Sequence, residues 1–390
     1  MRIARVRAYP LMARIEGLAE APVSVPRSST TADLIFAGYR ALLVRIDTDD
    51  GRQGVGEGLV RLAPNAASAI IEALAPLLIG RDPRDVDVIW EDLYATMVNR
   101  GHTRGFMIEA ISAIDIALWD LIAQERNLPL HKALGGTHHP TFPCYASSVR
   151  IKPPEAAAAD ARALVADGFE AIKLKIGRGP GRLHEDLDAV AAVRDAIGPD
   201  VRLMVDANGG YDLATAVRVA RELTRLGCAW FEEPLPTDDL PGYAALRRKV
   251  DVPIAAGESW FTRTDFREAL VRETVDVVQP DVSRCGGVSE AVKIARMASA
   301  FHVAFAPHTG QSSAVCLATS LHLAAAMPNT TTYEFIAADW SADQANPLRT
   351  ELSDFDFANM RDGGTARAPD RPGIGMTVDW DAVERYRTEG

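Results

Sequence analysis

Cysteine is scarce in this chain. Cys144, Cys228, Cys285 and Cys316 are the only four among 390 residues, and no two form a C-x-x-C pair. That spacing excludes a disulfide framework and fits reduced, buried thiols. Positive charge is also in deficit. Lys and Arg total 42 against 53 Asp and Glu, for a net charge of −11. Nucleic acid and anionic membrane both call for a basic face, so neither is expected as a partner. No stretch approaches the roughly 20 apolar residues of a membrane span. Met1 to Leu11 sets Ile3, Val6 and Tyr9 among Arg2, Arg5 and Arg7 instead of forming an apolar signal core. The expectation is a soluble, cytoplasmic protein that acts on a small molecule.

What is present is apolar mass. At 47% hydrophobic content the chain can bury a large core, and its length suits a barrel plus one smaller domain. The stretch that organises the rest is Ala171 to Gly177, A-I-K-L-K-I-G, where Lys173 and Lys175 sit two apart in an apolar run. On a strand both would point to one side. Later apolar runs each close on a polar residue: Asp206 in V-D-A-N, Glu232 in W-F-E-E-P, Glu258 in A-A-G-E, Asp281 in V-Q-P-D and His308 in F-A-P-H. Their gaps lie between 23 and 27 residues, the period of a strand-plus-helix repeat whose strands end at one rim.

In chain order, residues 1–60 read as an antiparallel sheet, with Ala41 to Ile46 and Gln53 to Glu57 joined by an Asp49-Asp50-Gly51 turn. Glu16 to Asp33, rich in Ser, Thr, Pro and Ala, reads as a surface loop that could act as a lid. A helical pattern follows, clearest from Ile108 to Arg126, where Ile111, Ile114, Leu118 and Leu121 recur at spacings of three and four. After Gly135 and Gly136, strands alternate with helices until eight strands are counted, ending with Thr331 to Phe335. Such alternation predicts an α/β fold with a parallel sheet closed into a barrel. The expected units are an α+β capping domain over 1–136, the barrel over 137–338, and a segment over 339–390. The hairpin-like Pro372 to Val378 of that last segment is expected to pack back on the capping domain.

Asp206, Glu232 and Glu258 end the third, fourth and fifth barrel strands and are therefore neighbours. One such acid alone would read as a solvated rim residue. Three together repel unless a cation sits among them, and all-oxygen ligation with open positions suits magnesium. Asn208 falls on the same side and is expected to hydrogen-bond a ligand or substrate. Lys173 and Lys175 lie to one side of that ion. Beside another ammonium and a dication, the lysine pKa is expected to fall toward the range of a base. Asp281 and His308 end strands six and seven, where the acid would orient the imidazole and make it a second acid/base on the other face. Glu334, ending strand eight, would donate a hydrogen bond to a substrate oxygen if protonated. The remaining histidines read as structural. This set suits removal of the proton next to a carboxylate, since a divalent cation stabilises the resulting ene-diolate.

Over essentially its full length the chain resembles the enolase superfamily, mandelate racemase subgroup. The motifs that carry the resemblance are A-I-K-L-K-I-G, V-D-A-N-G-G-Y, W-F-E-E-P, A-G-E-S, Q-P-D-V-S-R-C-G-G and the P-H at 307–308. The resemblance implies a capping domain over a modified (β/α)7β TIM barrel. It also implies one magnesium ion per subunit on Asp206, Glu232 and Glu258, bases at Lys175 and the His308–Asp281 dyad, and Lys173 as the lysine near the substrate carboxylate. Pairing a Lys or His base with magnesium is the superfamily's own pattern. Asp281 stands where the muconate-lactonising branch would have lysine. The activity implied is dehydration of an acid sugar (an aldonate, aldarate or uronate derivative) to a 2-keto-3-deoxy acid. Racemisation or epimerisation, lactone cycloisomerisation and non-catalytic sugar-acid binding are the alternatives, and the family often forms homo-oligomers. Thr309, Gly310 and Gln311 match no substrate signature.

Overall fold

The computed structural model describes residues 1–14, 38–337 and 345–388, and the expected lid over Glu16 to Asp33 lies outside them. An antiparallel sheet opens the chain: β1 (Ile3–Arg14), β2 (Gly38–Thr48) and β3 (Gln53–Gly58), with β2 in the middle. Gly51, at φ +87°, makes the β2–β3 turn. Three helices follow, α1 (Pro64–Leu74), α2 (Val86–Ala95) and α3 (Phe106–Glu125), then the single turn α4 (Leu130–Ala133).

β3 reads Q-G-V-G-E-G, and its alternation is informative. A Cβ at Gly54, Gly56 or Gly58 would lie 2.3, 1.9 or 2.6 Å from the carbonyl oxygens of Ala117, Ala113 and Glu109, which are spaced by four along α3. Only glycine lets the strand lie this close on the helix. Because side chains alternate across a strand, Val55 and Glu57 face the other way, toward the barrel.

The barrel runs β4 (Phe142–Val149), α5 (Pro154–Ala166), β5 (Ala171–Lys175), α6 (Leu183–Ile197), β6 (Arg202–Asp206), α7 (Leu213–Arg225), β7 (Trp230–Glu232), α8 (Leu240–Arg247), β8 (Ile254–Ala256), α9 (Thr262–Val271), β9 (Val277–Val278), α10 (Gly287–Ala300), β10 (Ala304–Phe305), α11 (Ala314–Ala326) and β11 (Tyr333–Ile336). This is the modified (β/α)7β TIM barrel. Every neighbouring strand pair from β4 to β10 is parallel, β11 pairs β4, and a parallel bridge between Phe305 and Thr330 closes the ring. The fifth to seventh strands stop earlier than expected. Glu258 lies two residues past β8, and Asp281 and His308 three past β9 and β10. Gly257 (φ +140°) breaks β8, and Pro280 and Pro307 lack the N–H that would continue their ladders. Inside the barrel Tyr145, Ala171, Met204, Trp230, Ala255, Val277 and Ala306 pack as an apolar plug beneath the rim.

The C-terminal segment departs from its expected form. Its hairpin is β12 (Arg361–Asp362) with β13 (Thr365–Ala366), turning at Gly363 and Gly364 and pairing with β4 of the barrel. Residues 372–378 instead make single bridges, Pro129 to Gly373 and Ser353 to Val378. Pro369 and Pro372 remove ladder donors just where that hairpin was expected. After α12 (Pro347–Thr350), α13 (Trp380–Arg385) sets Trp380 against Tyr9, with ring centroids 5.0 Å apart.

α3 shows the predicted apolar stripe, but its polar residues are buried as well, because they meet the barrel. Arg284 Nε donates to Glu109 Oε1 at 3.0 Å, Gly286 N to Ser112 Oγ at 2.9 Å, and Ser289 Oγ and N to Asp115 at 2.6 and 2.9 Å. Burial outweighs the Ser289 donors and pushes the Asp115 carboxyl up to about 7. A folded-state pKa above the unfolded 3.8 contributes stability at acid pH that is lost as pH rises toward 7. D115N, which cannot ionise, should therefore gain on the wild type by about 3 kcal/mol between pH 4 and pH 7, at most about 1.4 kcal/mol per pH unit. Urea unfolding across that range measures this; parallel curves for the two proteins would refute it.

Candidate active site

Lys173 and Lys175 lie on β5 with their side chains toward the barrel interior, Asp206 closes the adjacent strand β6, and Glu232 closes β7 beyond it. One carboxylate oxygen from each of Asp206, Glu232 and Glu258 lies within 4.8 Å of the other two, and all three residues are buried. Sharp turns aim the strand ends. Asn208, just past Asp206, has φ +41°, and Glu233, just past Glu232, has φ +38°. Glu232 is held from below: Lys173 Nζ donates to Oε1 at 2.6 Å, and Gln279 Nε2 and Trp230 Nε1 donate to Oε2 at 2.8 and 3.1 Å. His308 Nε2 is 3.1 Å from Glu258 Oε2 but out of line for a good hydrogen bond, so that oxygen keeps a free lone pair.

Crowding shows in the acid strengths. Burial, reinforced by Asp206 and opposed by Lys173, pushes Glu232 up to about 8. Burial and then Glu258, Asp206 and Glu232 hold Glu233 well above the carboxylate range, and its buried Oε1 has no hydrogen-bond partner. Glu258 is buried too, but the neighbouring His308 and Lys175 bring it well below that range. Three converging carboxylates with oxygen donors only, one with a spare lone pair, fit a hard divalent cation.

The cations flank the triad from two ends. Lys175 Nζ ion-pairs closely with Asp206 Oδ2 and donates to Asn208 Oδ1 at 3.0 Å. At the other end His308 Nδ1 lies 2.8 Å from Asp281 Oδ2, and its Nε2 faces Glu258. Burial lowers the imidazole pKa, but Glu258, Glu334 and Asp281 outweigh it and lift it to about 10. The fully buried Lys173 bridges Glu232 and Glu334, 2.6 and 2.9 Å away, over the face of Tyr145.

The expected fall in lysine pKa included a bound dication, and the side chains around the lysines act against it; the expectation for Glu334 needs correcting. Burial lowers both lysines, but Glu232 and Glu334 around Lys173, and Asp206 beside Lys175, raise them further. The protein's side chains alone do not bring either lysine down toward the range of a base, because carboxylates surround both. Glu334 is not a protonated donor. It accepts from Thr309 N at 2.8 Å, and Lys173 and His308 overcome its burial to hold it well below the usual carboxylate range.

Asn208 turns its amide to Lys175, Asp206 and Glu233, and its backbone N–H donates to Asp206 Oδ1 at 2.8 Å. His131 and His322, read as structural, pair at 2.9 Å in a buried contact remote from the triad. Sequence reasoning gave no role to Gln279, to Gly310 or to Arg61. A Cβ at Gly310 would lie 2.5 Å from His308 Nε2 and 3.3 Å from Arg61 Nη2, so the backbone there lies flat on the imidazole and beside the guanidinium. Arg61 Nη2 is 3.9 Å from Glu258 Oε1. Gln279 stands inside the Q-P-D motif, where a polar residue two positions before an acid at a strand end was the available signal; Arg61 carried none.

Residues 156–382 match the family described as enolase C-terminal domain-like, and residues 22–135 match the mandelate racemase / muconate lactonizing enzyme N-terminal domain. D-galactarolactone cycloisomerase of Agrobacterium fabrum is 35% identical over 99% of both chains. Arabinonate dehydratase of Saccharolobus solfataricus is 33% identical over 96% of this chain and 93% of its own. The crystal structure of the 3,6-anhydro-D-galactonate cycloisomerase from Zobellia galactanivorans superposes with a TM-score of 0.86 at 30% identity, covering all of both chains. With both halves matched and the carboxylate rim intact, the chain belongs to the mandelate racemase / muconate lactonizing enzyme family of the enolase superfamily, and it is an enzyme.

Proposed function

We propose that this enzyme removes the proton alpha to a carboxylate of an acid sugar and expels the β-hydroxyl, giving a 2-keto-3-deoxy acid. The observation that carries the reading is the flanking of one carboxylate triad by Lys175 at its Asp206 end and by the His308–Asp281 dyad at its Glu258 end. Dehydratases of acid sugars among the relatives support the same class.

Asp206, Glu232 and Glu258 would hold one magnesium ion per subunit, which supplies positive charge to the carboxylate as the ene-diolate forms. Lys175 Nζ or His308 Nε2, in its neutral form, takes the α-proton from its own face of the substrate, while the other, protonated, faces it across the pocket. Asp281 accepts from Nδ1–H of His308, which leaves Nε2 as the atom that exchanges protons. The residue on the opposite face then gives a proton to the departing β-hydroxyl, which leaves as water while the electron pair of the broken C–H bond becomes the C2–C3 double bond of an enol. Ketonisation completes the product. Lys173, beneath the carboxylate end, fixes Glu232 and Glu334 and adds positive charge there. Asn208 acts here by holding Asp206 and Lys175. The second reading is lactone cycloisomerisation, favoured by the relative named D-galactarolactone cycloisomerase; it shares the ene-diolate and the same bases.

Turnover of a panel of aldonates, aldarates and their lactones in heavy water separates the two. A semicarbazide-reactive keto acid lighter than its substrate by one water marks dehydration, a ring-opened keto acid of the same mass as its lactone substrate marks cycloisomerisation, and absence of both, with no deuterium at C2, would sink the proposal. K175A and H308N should each lose about 10²–10⁴-fold in turnover, and unchanged rates in both would be decisive against them. Magnesium should raise the thermal midpoint of the wild type and leave that of D206N unmoved; equal shifts would remove the triad from the binding site.

A further inference from the structure

The two flanks of the triad are supported differently. Lys175 takes its contacts from Asp206 and Asn208, at the end of the adjacent barrel strand β6. His308 stands on a loop that residues far away in sequence hold. Thr309 and Ser312 give their carbonyl oxygens to the buried Arg349 of the C-terminal segment. Immediately beyond, Glu57 from β3 takes the first donors of α11: Ser313 N at 2.6 Å on Oε1, and Ser313 Oγ and Cys316 N at 2.7 and 2.8 Å on Oε2. Glu57 is fully buried. The glycines on either side of it press against α3, so the strand cannot turn its carboxylate elsewhere. Cys316 Sγ in turn lies 3.9 Å from Oδ1 of Asp281, the acid whose other oxygen pairs with His308.

From this geometry we infer that Glu57 is a positioning residue for the His308–Asp281 dyad: the capping sheet, through Glu57, fixes the turn that sets the imidazole. A carboxylate on the unpaired N–H groups of a helix N-terminus is a favourable fit, and three short bonds leave that turn little freedom. Releasing it shifts Cys316 against Asp281 and loosens the span from His308 to Ser313. A displacement near 1 Å at an acid/base group costs about 100-fold in rate. Lys175 has no such tie, so the loss of Glu57 falls on one face of the substrate. A residue that only stabilised the fold would depress both faces alike.

The inference rests on Lys175 and His308 working from opposite faces, and its test uses full-length E57Q and the milder S313A with a pair of substrate epimers at C2. In deuterium oxide, α-proton exchange from the epimer that faces Lys175 should stay within about 2-fold of wild type. Exchange from the epimer that faces His308, and turnover that needs His308, should fall about 10- to 100-fold in E57Q and less in S313A. Equal loss at both faces, or wild-type exchange at the His308 face, would overturn the role of Glu57 alone. Exchange of neither epimer by the wild type would overturn the reading beneath it as well.

Discussion

Repulsion among Asp206, Glu232 and Glu258 is the constraint around which the barrel mouth is built. Three buried carboxylates within 4.8 Å of one another cannot all ionise in a low-dielectric site without countercharge, and the acid strengths record the conflict: Glu232 and Glu233 are driven up, Glu258 is driven down by the imidazole beside it. The protein meets the conflict from below and from both flanks. Lys173 is sealed under Glu232 and Glu334, Gln279 and Trp230 fill the second oxygen of Glu232, and Lys175 and His308 take the outer acids. The upper face of the triad is left to oxygen ligands and a cation.

Holding acids in that posture strains the backbone. Left-handed φ at Asn208 and Glu233 costs on the order of 1–3 kcal/mol each, and the surrounding barrel must outweigh it. The return is geometric. At Asn208 the turn brings a backbone N–H and an amide onto Asp206; at Glu233 it carries a fourth carboxyl toward the same cluster, within 3.5 Å of Asn208 Nδ2. Gly257 makes the corresponding break before Glu258, in a conformation only glycine adopts without strain.

Much of this was legible because strand-helix units of similar length put their polar ends at one rim. The spacing of Asp206, Glu232 and Glu258, the paired lysines of A-I-K-L-K-I-G and the proline before His308 are local signals with one geometric outcome. What escaped depends on partners distant in sequence. The carboxylates beside Lys175 and the donors to Glu334 come from neighbours 31 and 25 or more residues away, which their own strands do not show. The three glycines of β3 look like a weak strand until α3 lies against them, and the buried Glu109, Ser112 and Asp115 of α3 look like a solvated face until the barrel is in place, as Asp120 does until Val55 and Ile374 donate to it. In the C-terminal segment Pro369 and Pro372 are local signals too, since neither can donate to a ladder.

The division of labour between the two units follows from these contacts. The residues proposed to bind a cation or to abstract a proton all come from barrel strands and their first loop residues, and those elements are tied to one another by the parallel ladder. The other sheet contributes at a distance: Glu57 to the start of α11, Leu59 N to Ser283 O at 2.9 Å, and Arg61 to the edge of Glu258. Arg61 has a buried Nε with no hydrogen-bond partner, although its backbone oxygen is anchored by Arg40. Dehydration and cycloisomerisation share their first proton transfer, so the residues that separate them must act away from that carbon. In this chain the non-barrel unit brings the charged side chain of Arg61 to the edge of the triad, 3.9 Å from Glu258, away from the barrel strands that carry the acids.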